Sequence, residues 1–521
     1  MKRDEMIEKM IRMKDSYDII VIGGGATGIG IALESSTRGY KTILLEQSDF
    51  TKSTSSKSTK LVHGGVRYMA QGDLALVREA CVERGRLVRN APHLVQNQSF
   101  IIPAFGWFDA LMYTVGLTFY DLLAGSLSLG RSQYISKKIT LSRIATLNEK
   151  KITGGVLYHD GMFDDSRLAI NLLQTAAAHN AHLINYMQVK QLTKDDKGMI
   201  RGVVVEDLET NTSYTLNAKV VINATGVFAD TIMQMDRPEM KKIIRPSQGV
   251  HIVLDKEFLP GEDALMIPKT EDGRVLFAVP WHNKVIVGTT DTPLSETSLE
   301  PVALTEEIDF ILKTSSRYLK KAPKKGDVLS VFAGLRPLAA TKGENKKTKE
   351  ISRSHKIIVS ESELFTMIGG KWTTFRKMAE DMLRKVEKKK FWKRTASKTR
   401  NMHIHGYVNA FDRKDPFCIY GTDKSRLLRI QNEEIDYQGF INESLQLYKA
   451  QVVYAVREEM AQTVEDVLLR RTRCLLLNAR ETMKVAAEVA EIMAIELQKD
   501  QQWVDGQLAA FNDVASNYVI H

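Results

Sequence analysis

The feature that most constrains the fold is a glycine-rich turn near the N-terminus. The stretch DIIVIGGGATGIGIALE, from residue 18, begins with an apolar, β-branched run that predicts a strand buried on both faces. Gly23, Gly25 and Gly28 follow with the spacing G-x-G-x-x-G, at the start of a predicted helix. Such glycines permit a tight turn, let a pyrophosphate approach the backbone and allow the helix to pack closely on the strand. The stretch therefore predicts a Rossmann-like dinucleotide site.

Two neighbouring features strengthen this prediction. The helix begins at Ala26 and Thr27, where unpaired N–H groups and the helix dipole favour a phosphate. The second strand ends at Glu46, at about the distance along the chain expected of an acid that binds a ribose hydroxyl. Strand, turn, helix, second strand and acid thus occur in the order that a dinucleotide-binding unit requires.

Two later junctions between a strand and a glycine turn indicate which dinucleotide is bound. AKVVINATGVFAD predicts a buried strand that ends at Ala224, Thr225 and Gly226, and LFTMIGGKWTTF predicts a strand with a turn at Gly369 and Gly370. A nicotinamide-binding domain is normally contiguous, whereas a flavin must be held along its whole length. The helix after the last turn would direct its positive end at the pyrimidine edge of a flavin. FAD is therefore the predicted cofactor.

Length and composition narrow the class of protein. A chain of 521 residues is too long for one hydrophobic core, so we expect two or three domains. The net charge of +10 favours an anionic partner, namely a phosphorylated small molecule, an acidic membrane surface or a nucleic acid, although a simple excess of surface charge would also explain it. The three cysteines are scattered and the histidines lack metal-ligand spacing, so we predict no disulfide framework, no metal site and a reducing compartment.

Two apolar segments are candidates for contacts outside the core. Residues 1–16 form an amphipathic segment with Met6, Met10 and Met13 on one side, which we expect to dock on the protein as a helix. Residues 106–125 are apolar and aromatic but are interrupted by two aspartates. No apolar run is expected to reach the roughly 20 residues that cross a bilayer. The second segment therefore predicts either a buried helix or a helix lying in the interfacial plane of a membrane.

A strongly basic stretch covers residues 382–400. Nine of its residues are Lys or Arg, and Glu387 alone opposes them. Beside Phe391 and Trp392, such a cluster is typical of a surface for anionic lipid headgroups, but a solvated linker between domains fits equally well. Together with residues 106–125 it leaves two locations open: peripheral (monotopic) association with the cytoplasmic face of a membrane, or the cytoplasm.

The order of the motifs resembles that of the FAD-dependent glycerol-3-phosphate dehydrogenases. The similar stretches extend from about residue 17 to the C-terminus and read DIIVIGGGATGIGIA, TSSKSTKLVHGGVRYM, INATGVFAD, IVGTTDT, FAGLRPL and MIGGKWTTFRKMAED. The resemblance implies an α/β protein (α+β overall), in which a Rossmann-like FAD-binding domain is interleaved with an antiparallel-sheet substrate domain and followed by a C-terminal helical domain. The expected ranges are 17–90, 150–245 and 340–390 for the FAD-binding domain, 91–149 and 246–339 for the substrate-binding domain, and 400–521 for the helical domain.

The resemblance also implies a reaction and its partners. The substrate would be sn-glycerol 3-phosphate, oxidised to dihydroxyacetone phosphate by hydride transfer to flavin N5. A membrane quinone would then accept the electrons. A homodimer is compatible with the sequence, which does not determine the oligomeric state. An oxygen-dependent oxidase releasing hydrogen peroxide is the main alternative, but that relative carries an insertion that the short spacing from FAGLRPL to MIGGKWTTF does not allow. Another FAD amine or hydroxy-acid oxidoreductase is a weaker alternative. A nucleic-acid-binding protein would leave the glycine junctions unexplained, so no nucleic acid is expected.

Several predicted cofactor contacts come from this resemblance. The composition of the serine-rich loop before HGGVRY would by itself suggest a flexible linker. The resemblance implies instead that this loop lines the flavin with Ser55, Ser58 and Thr59. Gly64 and Gly65 would let the backbone pass beneath the flavin ring without a Cβ. Thr373 would add a hydrogen bond near the flavin.

The predicted substrate site is cationic. A phosphate dianion needs charge-assisted donors, and Arg can bind two of its oxygens at once. Arg336, expected on a short loop after a strand, is assigned to it together with four other residues: Arg67, Tyr68, Arg353 and Lys371. Lys371 would also stabilise the reduced flavin. The catalytic base is a histidine, either His63 in the HGG turn or His251 at the start of a predicted strand, and the sequence does not choose between them.

Overall fold

The structure is a computed structural model that describes residues 1–13, 16–65, 72–150, 152–268, 270, 273–339, 355–433 and 437–520. Two large sheets make up the core, and helices form the C-terminal part. This mixed architecture confirms the predicted fold class. The predicted substrate residues Arg67, Tyr68 and Arg353 lie outside the described residues.

The first sheet is mainly parallel and corresponds to the predicted Rossmann-like domain. Its central order is β17-β18-β10-β1-β2-β7, and β9 pairs with both β8 and β10. Helices α2 (Ala26–Thr37) and α9 (Phe375–Lys389) pack on each other beside it, because Gly30 of α2 leaves room for Phe375. The strands described in this sheet are β1 (Tyr17–Ile22), β2 (Thr42–Leu45), β7 (His182–Ile184), β8 (Met187–Lys194), β9 (Ile200–Asp207), β10 (Thr212–Asn223), β17 (Lys356–Val359) and β18 (Leu364–Ile368).

The second sheet is mainly antiparallel. Its central order is β15-β11-β14-β13-β12-β4-β6-β3, with β16 paired to β11 and β5 paired to β6. Only the β12–β4 pair is parallel among the described strands of this sheet. The described strands are β3 (Leu61–Val62), β4 (Val95–Ala104), β5 (Gln133–Ser136), β6 (Gly154–Phe163), β11 (Ile244–Asp255), β12 (Ala264–Ile267), β13 (Leu276–Trp281), β14 (Lys284–Gly288), β15 (Thr292–Pro293) and β16 (Val328–Ala339).

Two strands of the second sheet differ from the expected division of the chain. The boundary at residue 150 assigned β6 to the FAD-binding domain, but β6 pairs along its whole length with β4. The short strand β3, also expected in the FAD-binding domain, pairs with the end of β6. Because β3 leads directly into His63, this pairing carries the HGG turn from the first sheet to the second.

The helices surround the sheets and fill the C-terminal part. Residues 401–423 are largely irregular, and a small hairpin of β19 (Phe440–Asn442) and β20 (Leu447–Tyr448) interrupts the helical region. The described α-helices are α1 (Arg3–Arg12), α2 (Ala26–Thr37), α3 (Leu74–Asn90), α4 (Trp107–Ala124), α5 (Lys137–Arg143), α6 (Asp165–Ala178), α7 (Ala229–Asp236), α8 (Thr305–Tyr318), α9 (Phe375–Lys389), α10 (Lys424–Glu433), α11 (Lys449–Glu459), α12 (Cys474–Leu477), α13 (Ala479–Leu497) and α14 (Gln501–Ser516).

A buried ionic cluster joins the helical region to the first sheet. Asp49, three residues after Glu46, accepts hydrogen bonds from Arg470 Nε at 2.5 Å and from both terminal nitrogens of Arg471 at 2.7 and 2.8 Å. Burial alone would raise the pKa of Asp49, but the charges of Arg471 and Arg470 outweigh it and hold the pKa well below its usual range. The LLRRTR stretch therefore fastens the C-terminal part to the loop that follows β2.

The two apolar segments behave differently. In α1, Met6 and Met10 are buried and Arg3 pairs with Asp207 at 2.6 Å, so this helix is docked on the protein. A short 3₁₀ turn, Gly125–Leu127, follows α4, and the stretch Trp107–Leu127 is long and apolar enough to cross a bilayer by length and composition, against our expectation. Only 22% of its most apolar part is buried. Its large apolar side chains form the exposed apolar face of α4, made of Trp107, Phe108, Leu111, Met112, Val115, Phe119 and Leu122.

The basic stretch 382–400 is partly used within the protein. Arg384 and Arg400 both pair with the buried carboxylate of Glu380. Burial would raise the pKa of Glu380, but hydrogen bonds from Arg400 and Arg376 lower it to about 2. Trp392 packs against Tyr40 with 5.0 Å between ring centroids and an angle of 32° between the ring planes. Phe391 and most of the remaining basic side chains are exposed, so part of the stretch stays available to an anionic surface.

Candidate active site

The first of two cavities lies where the parallel strands end. β1, β2, β10 and β18 each lead into its wall at their carboxyl ends, the usual place for a ligand in an α/β sheet. The cavity measures about 250 Å³. All three predicted glycine junctions line it, with Gly23, Gly25, Ala26, Thr27, Ala224, Thr225, Gly226, Gly369, Gly370 and Lys371. Segments that are far apart in the sequence therefore meet around one space.

Geometry requires glycine at the first junction. Gly23 has a φ of +108°, a backbone conformation that residues with a Cβ atom rarely adopt. A Cβ on Gly28 would lie 1.8 Å from the carbonyl oxygen of Gly23, so α2 approaches β1 this closely only with glycine there. The Ala26 N–H donates to Ser55 Oγ at 3.0 Å. The serine-rich loop thus lies against the N-terminus of α2, and Ser55 lines the cavity.

Glu46 ends β2 at the cavity wall. Its carboxylate accepts hydrogen bonds from the N–H groups of Gly24 at 2.6 Å and Ser48 at 2.9 Å, which fix its direction. Burial raises the pKa of Glu46, and these two N–H donors counteract the rise. An oriented acceptor beside a glycine turn has the chemistry that recognises a ribose hydroxyl.

The last junction brings a lysine to the same cavity. Gly369 and Gly370 both have positive φ, +70° and +89°, and the turn places Lys371 in the cavity wall. The indole N–H of Trp372 donates to the carbonyl of Ser55 at 2.9 Å, which joins this turn to the serine-rich loop. The loop and the turn, which are 317 residues apart in the sequence, thereby form one continuous part of the cavity wall.

The second cavity, about 170 Å³, lies in the antiparallel domain beside the first. His63, Gly65 and Arg336 line it, and so do several residues that the sequence did not single out, among them Arg274, Tyr158 and Asp160. Thr373, two residues after Lys371, binds the backbone of His63 and so links a segment of the first cavity wall to a segment of the second. Its Oγ1 accepts from the His63 N–H at 3.2 Å and donates to the His63 carbonyl at 3.3 Å.

Arg336 lies within a strand and not on the short loop we expected. It belongs to β16, opposite Ser247 of β11. Its guanidinium donates to the carbonyls of Gln248 (3.2 Å) and Thr290 (3.0 Å) and lies 3.3 Å from Asp291. The strand can include Pro337 because β16 pairs with β11 alone among the described strands, and edge strands tolerate proline. The backbone and these acceptors hold the cation at the cavity wall.

The two candidate bases occupy different environments. His63 lines the second cavity. His251 lies in the middle of β11 rather than at its start, is buried, and stacks on Phe332 with 4.9 Å between ring centroids. Its Nε2 hydrogen-bonds Thr59 Oγ1 at 2.9 Å, and Thr59 lines the second cavity. Burial lowers the pKa of His251 well below its usual value, and the charges of Arg336 and Lys60 lower it further.

Ser58, Thr59 and Gly64, which are among the predicted cofactor contacts, are not in the wall of the first cavity. The Ser58 hydroxyl donates to Asp165 at 2.7 Å, and Ser58 lines neither cavity. Thr59 lies in the wall of the second cavity rather than the first. A Cβ on Gly64 would meet the side chains of Tyr120 and Cys81, both at 2.4 Å, so glycine is needed there for packing against helices.

Two residues of the second cavity, Asp291 and Arg274, are not among those predicted from the sequence. Asp291, which faces Arg336, belongs to the IVGTTDT motif that supported the resemblance but was not assigned a role. Arg274 stands in an ordinary turn sequence and is identified only by the structure, where its guanidinium lies 5.0 Å from the ring of Phe310. No group of acidic, His or Cys side chains among the described residues could hold a metal ion.

Comparisons with known proteins agree with this arrangement. Residues 18–363 match the family model FAD dependent oxidoreductase, and residues 365–504 match the C-terminal domain of alpha-glycerophosphate oxidase. The mitochondrial glycerol-3-phosphate dehydrogenase of Bos taurus is 36% identical, over 96% of this chain and 73% of its own length. The probable mitochondrial glycerol-3-phosphate dehydrogenase of Dictyostelium discoideum is also 36% identical, over 94% of this chain and 85% of its own.

Solved structures are similar over the same span. The glycerol-3-phosphate dehydrogenase from Bacillus halodurans, complexed with FAD, has a TM-score of 0.80 at 28% identity and covers 99% of this chain and 98% of its own. The L-alpha-glycerophosphate oxidase from Mycoplasma pneumoniae has a TM-score of 0.58 at 18% identity, over 76% of this chain and 100% of its own, and shares the fold.

The residues of the first cavity fit FAD. A helix N-terminus behind a glycine turn suits the pyrophosphate, the oriented Glu46 suits the ribose, and the Gly369–Gly370 turn lines the cavity with backbone that carries no side chain, against which a planar ring can lie. Both the resemblance and the predicted cofactor are confirmed. The chain is an FAD-dependent oxidoreductase and belongs to the glycerol-3-phosphate dehydrogenase family.

Proposed function

We propose that this protein oxidises sn-glycerol 3-phosphate to dihydroxyacetone phosphate and passes the electrons to a membrane quinone. The observation that supports this most is the content of the second cavity. A fixed guanidinium, Arg336, and an imidazole, His63, line a small space, and Thr373 ties His63 to the turn that lines the FAD cavity. A phosphate group and a secondary alcohol are the two functions that this pair of side chains suits.

The substrate phosphate would be bound by the arginines. Arg336 is held in place by backbone carbonyls, so little side-chain freedom is lost on binding. Arg274 lines the same cavity and supplies a second guanidinium. The predicted ligands Arg67, Tyr68 and Arg353 stay proposals from the resemblance. Anchoring the phosphate fixes the distance from the anchor to the alcohol carbon, which positions the C–H bond for transfer.

The proton of the alcohol would be taken by His63. This imidazole lines the cavity directly, whereas His251 reaches it through the Thr59 hydroxyl, and burial lowers the pKa of His251 well below its usual value. Removing the O–H proton favours departure of the hydride from the same carbon. FAD, when bound, supplies the two-electron acceptor for that hydride at N5. Lys371 provides positive charge in the wall of the FAD cavity, which lowers the energy of an anionic state there.

Anaerobic addition of sn-glycerol 3-phosphate to the purified holoprotein is expected to bleach the long-wavelength absorbance band of the flavin within the observation window of a stopped-flow instrument, about milliseconds to seconds. The sn-glycerol 1-phosphate enantiomer serves as the matched control, because it presents the same phosphate and the opposite C–H face. Equal bleaching by both enantiomers, or none by either, contradicts the proposed substrate. Reoxidation much faster with a quinone analogue than with air supports the quinone, and the reverse result supports the oxidase alternative.

The exposed apolar face of α4 supports a membrane acceptor. Quinones are insoluble in water, so an enzyme that reduces one has to reach the bilayer. Seven large apolar side chains exposed on one helix exceed what a solvated surface normally carries. We propose that α4 lies in the interfacial plane of a membrane on its cytoplasmic face and that exposed basic residues of the stretch 382–400 add attraction to anionic lipids.

The double variant Val115→Asp/Leu122→Asp is expected to reduce co-sedimentation with vesicles of mixed neutral and anionic phospholipid by at least about tenfold, because each side chain loses about 1.5–3 kcal/mol of apolar burial. The matched control is Ile495→Asp, a change of equal chemistry at an exposed position of α13. Bleaching by substrate should be unchanged in both proteins, since these positions line neither cavity. Equal sedimentation of variant and control contradicts the assignment of α4 to the membrane.

A further inference from the structure

Tyr120 connects α4 to the turn that carries His63. Its hydroxyl accepts a hydrogen bond from the Gly64 N–H at 2.7 Å and from Arg84 Nη1 at 3.1 Å. It donates to the carboxylate of Asp160, whose two oxygens both lie 3.0 Å away. Burial, and next the charge of Asp160, raise the pKa of Tyr120 well above its usual value, so the phenol keeps the proton that it donates. One buried hydroxyl thus satisfies three partners.

The partners of this hydroxyl belong to the second cavity. Gly64 stands between His63 and Gly65, and both of these residues line the cavity. Asp160 lines it as well. Tyr120 itself lines neither cavity, and its ring packs with Val77 and Cys81. Tyr120 therefore lies outside the second cavity and contacts its wall through the backbone N–H of Gly64.

The turn is held at two points. Thr373 binds both the N–H and the carbonyl of His63, and Tyr120 binds the next N–H along the chain, that of Gly64. A Cβ on Gly64 would lie 2.4 Å from the Tyr120 oxygen, so the backbone already sits as close to this hydroxyl as it can. Without the hydrogen bond to Tyr120, the turn is held by Thr373 and can rotate about that contact. The imidazole of His63 then moves with the turn.

We propose that Tyr120 is a positioning residue for the reaction: its hydroxyl fixes the His63–Gly65 turn so that the His63 imidazole meets the substrate alcohol. This role rests on the proposed function of His63 as the base. Tyr120 takes no part in the proton or hydride steps. Its effect reaches the chemistry through the Gly64 N–H, and a displacement of about 1 Å at the base is enough to slow such a reaction by about 100-fold.

Tyr120→Phe tests the proposal, because the ring stays and only the hydroxyl is removed. We expect kcat to fall by about 10- to 100-fold while KM changes less than about threefold and the FAD content is unchanged. In a His63→Gln background the same change should have little further effect, since there is no imidazole left to position. Tyr113→Phe is the matched control, as it removes a hydroxyl from the same helix that bonds neither to the turn nor to Asp160.

The possible outcomes distinguish a positioning role of Tyr120 from a purely structural one. If the wild type bleaches with sn-glycerol 3-phosphate and Tyr120→Phe bleaches equally fast, the positioning role is refuted. A wild type that does not bleach refutes the proposed function instead. Independent losses that multiply in the double variant would also refute positioning of His63. Should the variant lose FAD or unfold, amide hydrogen exchange of the wild-type holoprotein decides: slow exchange at Gly64, comparable with the core of α3, supports the anchor, and exchange at the rate of an unbonded loop overturns it.

Discussion

Replacing Arg336 by alanine is expected to lower kcat/KM for sn-glycerol 3-phosphate by about 100- to 1,000-fold while FAD stays bound. The guanidinium is the fixed cation of the second cavity, and its loss removes the charge-assisted donors for the phosphate. The change also leaves Asp291, now 3.3 Å from the guanidinium, facing the substrate without its partner, so repulsion adds to the loss. Steady-state kinetics with a quinone analogue and the flavin spectrum measure the two parts of this prediction.

Two further variants sharpen the Arg336 experiment. Arg336→Lys restores the charge without the planar pair of donors, so its kcat/KM should lie between those of the alanine variant and the wild type. Arg245→Ala removes an exposed arginine from the neighbouring strand β11 and should leave the kinetics unchanged. Near-normal turnover by Arg336→Ala would show that the phosphate binds elsewhere. Loss of FAD from that variant would show instead that Arg336 supports the fold of the cofactor domain.

Replacing Asp49 by alanine is expected to lower the free energy of unfolding by about 3–5 kcal/mol, because two guanidinium groups stay buried without their shared carboxylate. Arg470 and Arg471 contact it at 2.5–2.8 Å. Urea unfolding of the holoprotein, followed by flavin and tryptophan fluorescence, measures the change. Asp196→Ala, at an exposed turn position, is the matched control and should shift the free energy by less than about 0.5 kcal/mol. Equal stability of the two variants would contradict a structural role for the cluster.

The pH dependence of this stabilisation follows from the direction of the pKa shift. The pKa of Asp49 in the folded protein lies below its value in the unfolded chain, which is about 3.9. The stabilisation is therefore fully present above the unfolded value and is lost as the pH falls below it toward the folded value. The stability difference between the wild type and Asp49→Asn should be constant above about pH 5 and shrink below about pH 4. A stability difference between these two proteins that grows as the pH falls would contradict a lowered pKa of Asp49 in the folded protein.

The FAD cavity could be predicted in detail from the sequence because its determinants are local. Each junction consists of a buried strand that runs directly into glycines, and the conformations found at Gly23, Gly226, Gly369 and Gly370 are the positive-φ ones that glycine allows. The parallel sheet then brings the junctions to one edge whatever the length of chain between them. Glu46 was predicted on the same local pattern.

The substrate side could be predicted only in part, because side-chain direction there depends on pairing between distant segments. β11 is buried on both faces, so alternation along it gives no sign of which side His251 faces. The serine-rich loop likewise does not reveal that Ser58 turns to Asp165, which is more than a hundred residues away. Arg336 was misplaced on a loop because proline is rare in strands and the edge position of β16 is a property of the whole sheet.

The late position of β18 in the chain has a consequence for biosynthesis. β18 is the partner of β10 in the parallel sheet, and the turn after it completes the wall of the FAD cavity. The ribosome therefore releases the entire antiparallel sheet before the nucleotide pocket can close. During that interval the last residues of β10 present unpaired backbone groups to other nascent chains. Flavin can therefore occupy its complete pocket only after synthesis has passed Lys371, when β18 is available to pair with that edge of β10.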